Sequence, residues 1–171
     1  PTFTIISCVA PLIRIGAIPV LVNADPLTWN MDVSQIEQRI TSRTIAIMAV
    51  HIYGLPVDMD PLLRLANKHG LLVIEDAAEA LGSFYKKKHL GTFGDAGCIS
   101  FNGNKIITTG GGGMVITNNK KLSKKIKHLT TTAKLKHKWE YLHDEVGYNF
   151  RMPNLNAALG LAQFEKLELF L

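Results

Sequence analysis

The feature that most constrains this chain is the alternation of short apolar runs with amphipathic stretches. Ala17 to Val22 (AIPVLV), Thr44 to Val50 (TIAIMAV) and Leu71 to Ile74 (LLVI) each read as a buried strand bounded by turn residues. Helical patterns lie between them. Asp32 stands ahead of Gln35 at capping-box spacing, and Val33, Ile36 and Ile40 share a face, which predicts a helix over 33–40. Asp60 followed by Pro61 marks another helix start, Leu62, Leu63, Leu65 and Ala66 supply its apolar face, and Gly70 is a natural stop. A helical opening precedes Ala17. Further strands are expected over Gly97 to Phe101 (GCISF) and Met114 to Thr117 (MVIT), with helices near Lys120 to Leu129 and, amphipathic in pattern, from Asn154 onward. Strands and helices alternating at this spacing demand βαβ crossovers, hence an α/β fold around a mostly parallel sheet. In such sheets ligands bind beyond the carboxyl ends of the strands, where Asp76 falls.

Composition removes the main alternatives. With 171 residues, 47% of them hydrophobic, the chain can bury one proper core, and disorder, collagen and coiled coil are excluded. The most apolar stretch, Ile5 to Ala24, is interrupted by Pro11, Arg14, Gly16 and Pro19, short of the roughly 18 to 20 clean apolar residues a membrane span needs. No signal peptide is recognisable. Cys8 and Cys98 have no metal-type spacing, so free thiols in a reducing cytoplasm and no metal site are expected. The net charge of +5 is local: Lys120 to Lys138 holds eight Lys and no acid, against 11 basic and 14 acidic residues elsewhere. No nucleic-acid motif accompanies that run, which reads as a solvated helix face rather than a nucleic-acid surface.

The segment Ser100 to Gly113 (SFNGNKIITTGGGG) resembles a phosphate loop only superficially. A Walker motif needs Gly before the Lys and Ser or Thr after it, whereas Asn104 precedes Lys105 and Ile106 follows. What remains is a lone Lys just after a strand, which by itself reads most simply as a surface residue in a turn. Asp76 changes that weighting, because it ends one strand while Lys105 follows another. An acid and an amine directed into one cleft fit pyridoxal phosphate chemistry. The carboxylate pairs with the pyridinium nitrogen, the amine forms the Schiff base and then moves a proton, and Ser100 is placed to hold the phosphate.

A family resemblance joins these residues. Ile74 to Leu81 (IEDAAEAL), Gly94-Asp95-Ala96 with Ser100-Phe101 and Lys105, Gly110 to Val115, and Gly147 to Met152 (GYNFRM) together resemble the DegT/StrS family of pyridoxal phosphate-dependent sugar aminotransferases. The likeness runs effectively along the whole chain. Asn102 to Gly113 and His128 to Ala158 are most similar to the branch that makes 4-amino sugars on the legionaminic-acid and bacillosamine pathways. Thr28 to Val33 (TWNMDV) resembles perosamine synthases.

The resemblance implies aminotransferase fold type I. It makes Lys105 the catalytic, cofactor-bearing residue, Asp76 the partner of the pyridine nitrogen and Ser100 a phosphate contact. It also places Glu79 beside the cofactor ring, Asn149 at the phosphate of a neighbouring subunit, and Arg151 near the sugar-nucleotide entrance. The implied reaction moves an amino group from L-glutamate to C4 of a nucleotide-linked 4-keto-6-deoxy sugar, for cell-surface polysaccharide or glycan synthesis. UDP-4-keto-6-deoxy-N-acetylhexosamine is the first expectation; a GDP-perosamine-type synthase or a non-catalytic truncated member are the alternatives. A homodimer with shared active sites is implied. Residues 1–171 match the central part of the large domain, with a preceding segment and a smaller C-terminal domain expected outside them. Three departures stand out: Pro11 in a segment the family makes helical, Asn23 for the usual Asp, and Gly111 or Gly112 for the usual Glu.

Overall fold

The computed structural model describes all 171 residues, Pro1 to Leu171. Its strands are β1 (Ala46–Val50), β2 (Leu72–Asp76), β3 (Phe84–Tyr85), β4 (Lys88–His89), β5 (Ala96–Ser100) and β6 (Gly113–Ile116). Its helices are α1 (Ala10–Arg14), α2 (Met59–His69), α3 (Lys120–Thr130), α4 (Asn154–Phe164) and α5 (Leu167–Phe170). The main sheet runs β1-β2-β5-β6, with β1, β2 and β5 parallel and β6 antiparallel. The α/β class with a mostly parallel sheet is therefore as expected from the strand and helix periods.

One face of the sheet carries the principal core. Ile47, Ala49 and Val73 pack there with Val57, Met59, Leu62 and Ala66 from the start and inner face of α2, and with Val22, Met31 and Ile36. Helix α2 ends at Gly70, whose φ of +64° is left-handed, and Leu71 N–H reaches back to the Ala66 carbonyl at 2.8 Å. That bond closes a Schellman end. Nothing lies near a Cβ added at Gly70, so Gly70→Ala carries backbone strain alone. The expected cost is about 1 kcal/mol in the urea-unfolding free energy; no loss would mean that the turn relaxes out of the left-handed region.

Four sequence expectations are corrected. Ala17 to Val22 is extended but forms no strand: Pro19 lacks a ladder donor, the Val22 carbonyl accepts from Thr2 N–H, and Ile18, Val20 and Leu21 are exposed. Residues 33–40 form two 3₁₀ turns, Val33–Gln35 and Glu37–Arg39. The capping box fails because Asp32 N–H is already taken by the Asn23 carbonyl, so the Gln35 amide donates to the Asp32 carboxylate instead. Helix α2 begins after Asp58 rather than Asp60, which places Pro61 later in the first turn, where its missing N–H costs nothing. Helix α4 is less amphipathic than its pattern suggested, since Leu155, Leu159, Leu161 and Phe164 are all exposed. Pro11 sits at the start of α1 and neither kinks nor interrupts it.

The connection from β2 to β5 is a β3–β4 hairpin instead of a helix. Its two turn residues, Lys86 and Lys87, both have positive φ without the usual Asn-Gly or Asp-Gly signature. Beneath this connection lies Glu75, fully buried. Its Oε1 accepts from Phe93 and Gly94 N–H at 2.6 and 2.7 Å, and its Oε2 from Gly91 N–H at 2.7 Å and from His51 Nε2 at 3.1 Å. His51 Nδ1 accepts from Val57 N–H, so the neutral ring carries its proton on Nε2 and donates it to Glu75. Burial is the largest influence on the Glu75 carboxyl and pushes its pKa up. The bonds from His51, Gly94 and Gly91 together outweigh it and leave the pKa below the ordinary 4.5.

Candidate active site

The carboxyl ends of β2 and β5 bring the chemically active side chains to one edge. Asp76 closes β2 in register with Cys98 of β5, and Ser100 lies two residues further along the same strand face. Asp76 Oδ2 accepts from the Cys8 thiol at 2.8 Å and Oδ1 from Ala78 N–H at 3.0 Å. No Lys, Arg or His forms an ion pair with it. Burial, then the bond to Asp76, pushes the Cys8 thiol up to about 11. Burial and then the Asp76 charge raise Cys98 as well, so both thiols stay protonated and neutral near pH 7. Asp76 is thus held by two donors and pairs with no cation of this chain.

Lys105 rides on the connection from β5 to β6, residues 101–112. That loop is closed on itself by Phe101 N–H to the Gly112 carbonyl and Thr109 N–H to the Phe101 carbonyl, both 3.0 Å. Helix α4 grips it from below. Asn156 donates to the Thr109 carbonyl at 2.6 Å and Gln163 accepts from Thr108 N–H at 3.3 Å. Between them Gly160 allows close approach, since a Cβ there would lie 2.7 Å from the Thr109 methyl. Positions 156, 160 and 163 recur at helical spacing, a signal that became readable only once the helix had a partner.

The Lys105 side chain is largely buried, 16% exposed, and its Nζ lies 3.4 Å from Glu79 Oε1. Glu79 Oε2 accepts from Tyr53 N–H at 2.9 Å, and Tyr53 itself holds a positive φ of 50°. Asn30, almost fully buried, fixes this neighbourhood through its bonds to Ile52 N–H and to the Leu55 and Pro56 carbonyls. Ser100 Oγ accepts from Asn102 N–H at 3.3 Å, which leaves its own hydrogen to donate.

Four expected residues, Asp76, Glu79, Ser100 and Lys105, therefore come to this edge. Asn149 and Arg151 do not join them. Both are exposed on the segment after α3, where Asn149 bridges Thr131 and Arg151 lines two open surface depressions. Half-buried Leu122, Ile126 and Leu129 give α3 its inner stripe, and Lys125 pairs with Glu145. Lys134 lies over the Tyr141 ring at 3.6 Å, so part of the basic run is answered by its own chain. Sequence reasoning missed Cys8, Glu75, His51 and Tyr53. Only the Glu next to Asp76 at a strand end was a usable signal.

The model of the DegT/DnrJ/EryC1/StrS aminotransferase family matches residues 1–171. The chain belongs to that family. Its members use pyridoxal phosphate. Among curated relatives, GDP-perosamine synthase of Escherichia coli O157:H7 is 51% identical over 171 residues, covering 100% of this chain and 47% of the relative. The GDP-perosamine synthase of Caulobacter vibrioides is 48% identical over 168 residues, covering 98% of this chain and 45% of the relative. Among solved structures, Helicobacter pylori PseC, an aminotransferase of pseudaminic acid biosynthesis, superposes with a TM-score of 0.93 at 34% identity. That match covers 97% of this chain and 45% of PseC. The chain thus spans about half the length of these relatives, and the fold is that of the family's aminotransferases. No helix is long and apolar enough to cross a membrane.

Proposed function

We propose that this chain is the cofactor-binding part of the large domain of a cytoplasmic sugar aminotransferase. In this reading it works as a homodimer and moves an amino group from L-glutamate to C4 of a nucleotide-linked 4-keto-6-deoxy sugar. The observation that carries the reading is Asp76: a carboxylate at a parallel-strand end, held by two donors, with no cation of its own chain. That is the environment a pyridinium N–H needs, so the residues present fit pyridoxal phosphate. The cofactor supplies, when bound, an electron sink that acidifies the hydrogen on the amino-bearing carbon.

Each residue then has a defined task. Asp76 Oδ accepts the pyridine N–H and keeps its proton in place. The Lys105 amine holds the cofactor covalently and, once released and neutral, takes and returns a proton at Nζ. Glu79, 3.4 Å away, orients that amine and lies beside the ring. Ser100 Oγ–H donates to the phosphate, with Asn149 of a neighbouring subunit as a second donor and Arg151 at the sugar-nucleotide entrance.

The nucleotide is the finer question. The relatives named GDP-perosamine synthase, with the likeness of Thr28 to Val33, weigh for a GDP-linked sugar over the UDP-linked N-acetylhexosamine that Asn102 to Gly113 and His128 to Ala158 suggest. Incubation of the full-length protein with L-glutamate and either 4-keto-6-deoxy sugar, followed by mass spectrometry, tests this. The 4-amino product is expected from the GDP sugar. Product from the UDP sugar alone would return the other branch, and product from neither would sink the enzyme reading in favour of a non-catalytic member.

A further inference from the structure

We propose that Cys8 is a positioning residue of the cofactor site, its thiol donating to Asp76 and fixing the carboxylate at the angle at which it meets the pyridine nitrogen. This rests on the pyridoxal phosphate reading above. Cys8 ends the 3₁₀ turn Ile6–Cys8, is 5% exposed and packs with Val50 and Ile52, so its rotamer is set by the core. Its Sγ lies 2.8 Å from Asp76 Oδ2 and 3.1 Å from Thr4 Oγ1. The other carboxylate oxygen takes Ala78 N–H at 3.0 Å. With a donor on each oxygen, the carboxylate cannot turn about its terminal torsion without breaking a bond. The contact joins residues 68 apart in sequence, so it also ties the opening segment to the strand end that carries the site.

The choice of sulfur has a chemical consequence. Burial and then the bond to Asp76 keep the thiol protonated at neutral pH, so Cys8 serves as a donor and is neither a nucleophile nor a redox-active thiolate. Thiols are weak donors. The bond therefore orients Asp76 while leaving lone pairs on both of its oxygens free to accept a pyridinium N–H.

The test compares Cys8→Ala, which removes the donor, with Cys8→Ser, which keeps one. The protein is reconstituted with pyridoxal phosphate, and three quantities are read: the cofactor dissociation constant, the absorption spectrum of the bound cofactor, and the melting temperature without cofactor. Cys8→Ala is expected to weaken cofactor binding about tenfold and to redistribute the absorption bands, while Cys8→Ser stays within about threefold of the parent. Parent-like affinity and spectrum in Cys8→Ala would overturn the proposal. Equal losses in both variants would also overturn it, since they would assign Cys8 to packing alone. If Cys8→Ala does not fold, Cys8→Ser decides: parent-like binding and spectrum support the proposal, and a tenfold loss in a variant that melts like the parent overturns it. An unsubstituted protein that takes no cofactor at Lys105 overturns the underlying reading and the proposal with it, and this is seen before any variant is made.

Discussion

Under the proposed function, Lys105→Ala is expected to abolish the pyridoxyl label that borohydride reduction should leave on the parent protein, and amino transfer is expected to fall by at least about 10³-fold. The reason is chemical rather than structural. Lys105 Nζ has one polar partner, Glu79 Oε1 at 3.4 Å, and its loop is held by backbone bonds and by α4, so removal of the amine leaves the scaffold intact. Circular dichroism and melting of the variant should match the parent. Lys105→Arg should fail as completely, because a guanidinium stays protonated at any working pH and cannot serve as nucleophile or base. Peptide mapping of the reduced parent is the direct measurement. A label spread over the exposed lysines of Lys120 to Lys138, with activity retained in Lys105→Ala, would remove Lys105 from the reaction.

Glu75→Gln is expected to be the most destabilising conservative substitution in the chain. The carboxylate satisfies four buried donors, two on each oxygen. An amide offers one oxygen, so whichever way it points two donors face an NH₂ group. His51 cannot rescue the arrangement by switching tautomer, because a proton on Nδ1 would then face Val57 N–H. Two orphaned buried donors cost about 3 to 5 kcal/mol, a large share of the stability of an ordinary domain. The effect should appear as a lowered urea midpoint at unchanged slope. It should also reshape the acid limb of the stability profile. The Glu75 pKa is depressed in the folded protein, so its contribution is fully present above the ordinary value of 4.5 and is lost as pH falls through the depressed one. Wild-type stability therefore declines below pH 4.5 more steeply than that of Glu75→Gln. Parallel acid limbs would show that Glu75 titrates alike in the folded and unfolded chain.

These two residues mark how far the sequence could be read. Asp76 was placed by a local signal, since a charged residue at the end of an apolar run lies at the carboxyl edge of a parallel strand. Lys105, in the loop after β5, was singled out only by its pairing with Asp76 and by the family resemblance. Helix α2 was legible from its apolar stripe and its Gly70 stop, although its start was misplaced, and α3 was expected where it lies, with Asn119 as its N-cap. Ala17 to Val22 carried the same apolar pattern and became no strand: Pro19 has no ladder donor, and beyond the bond from Thr2 N–H to the Val22 carbonyl no ladder forms. Residues 33–40 form two 3₁₀ turns instead of one helix, and the Asp32 N–H that a capping box would use is claimed from outside by Asn23. Glu75 and Asp76 are adjacent and chemically alike, yet alternation along β2 turns one into the core and the other toward the site.

By itself, then, the sequence determined the α/β class and the order of most elements, and it pointed to the strand edge near which Asp76 and Lys105 lie. These follow from short-range periodicity and from the direction of parallel strands. Only the tertiary structure decided that Glu75 is an internal anchor, that Cys8 holds Asp76, and that Asn156, Gly160 and Gln163 steady the Lys105 loop. Each of those contacts joins residues far apart in the chain. Their chemistry exists only after folding has closed the loops between them, and no local pattern records it.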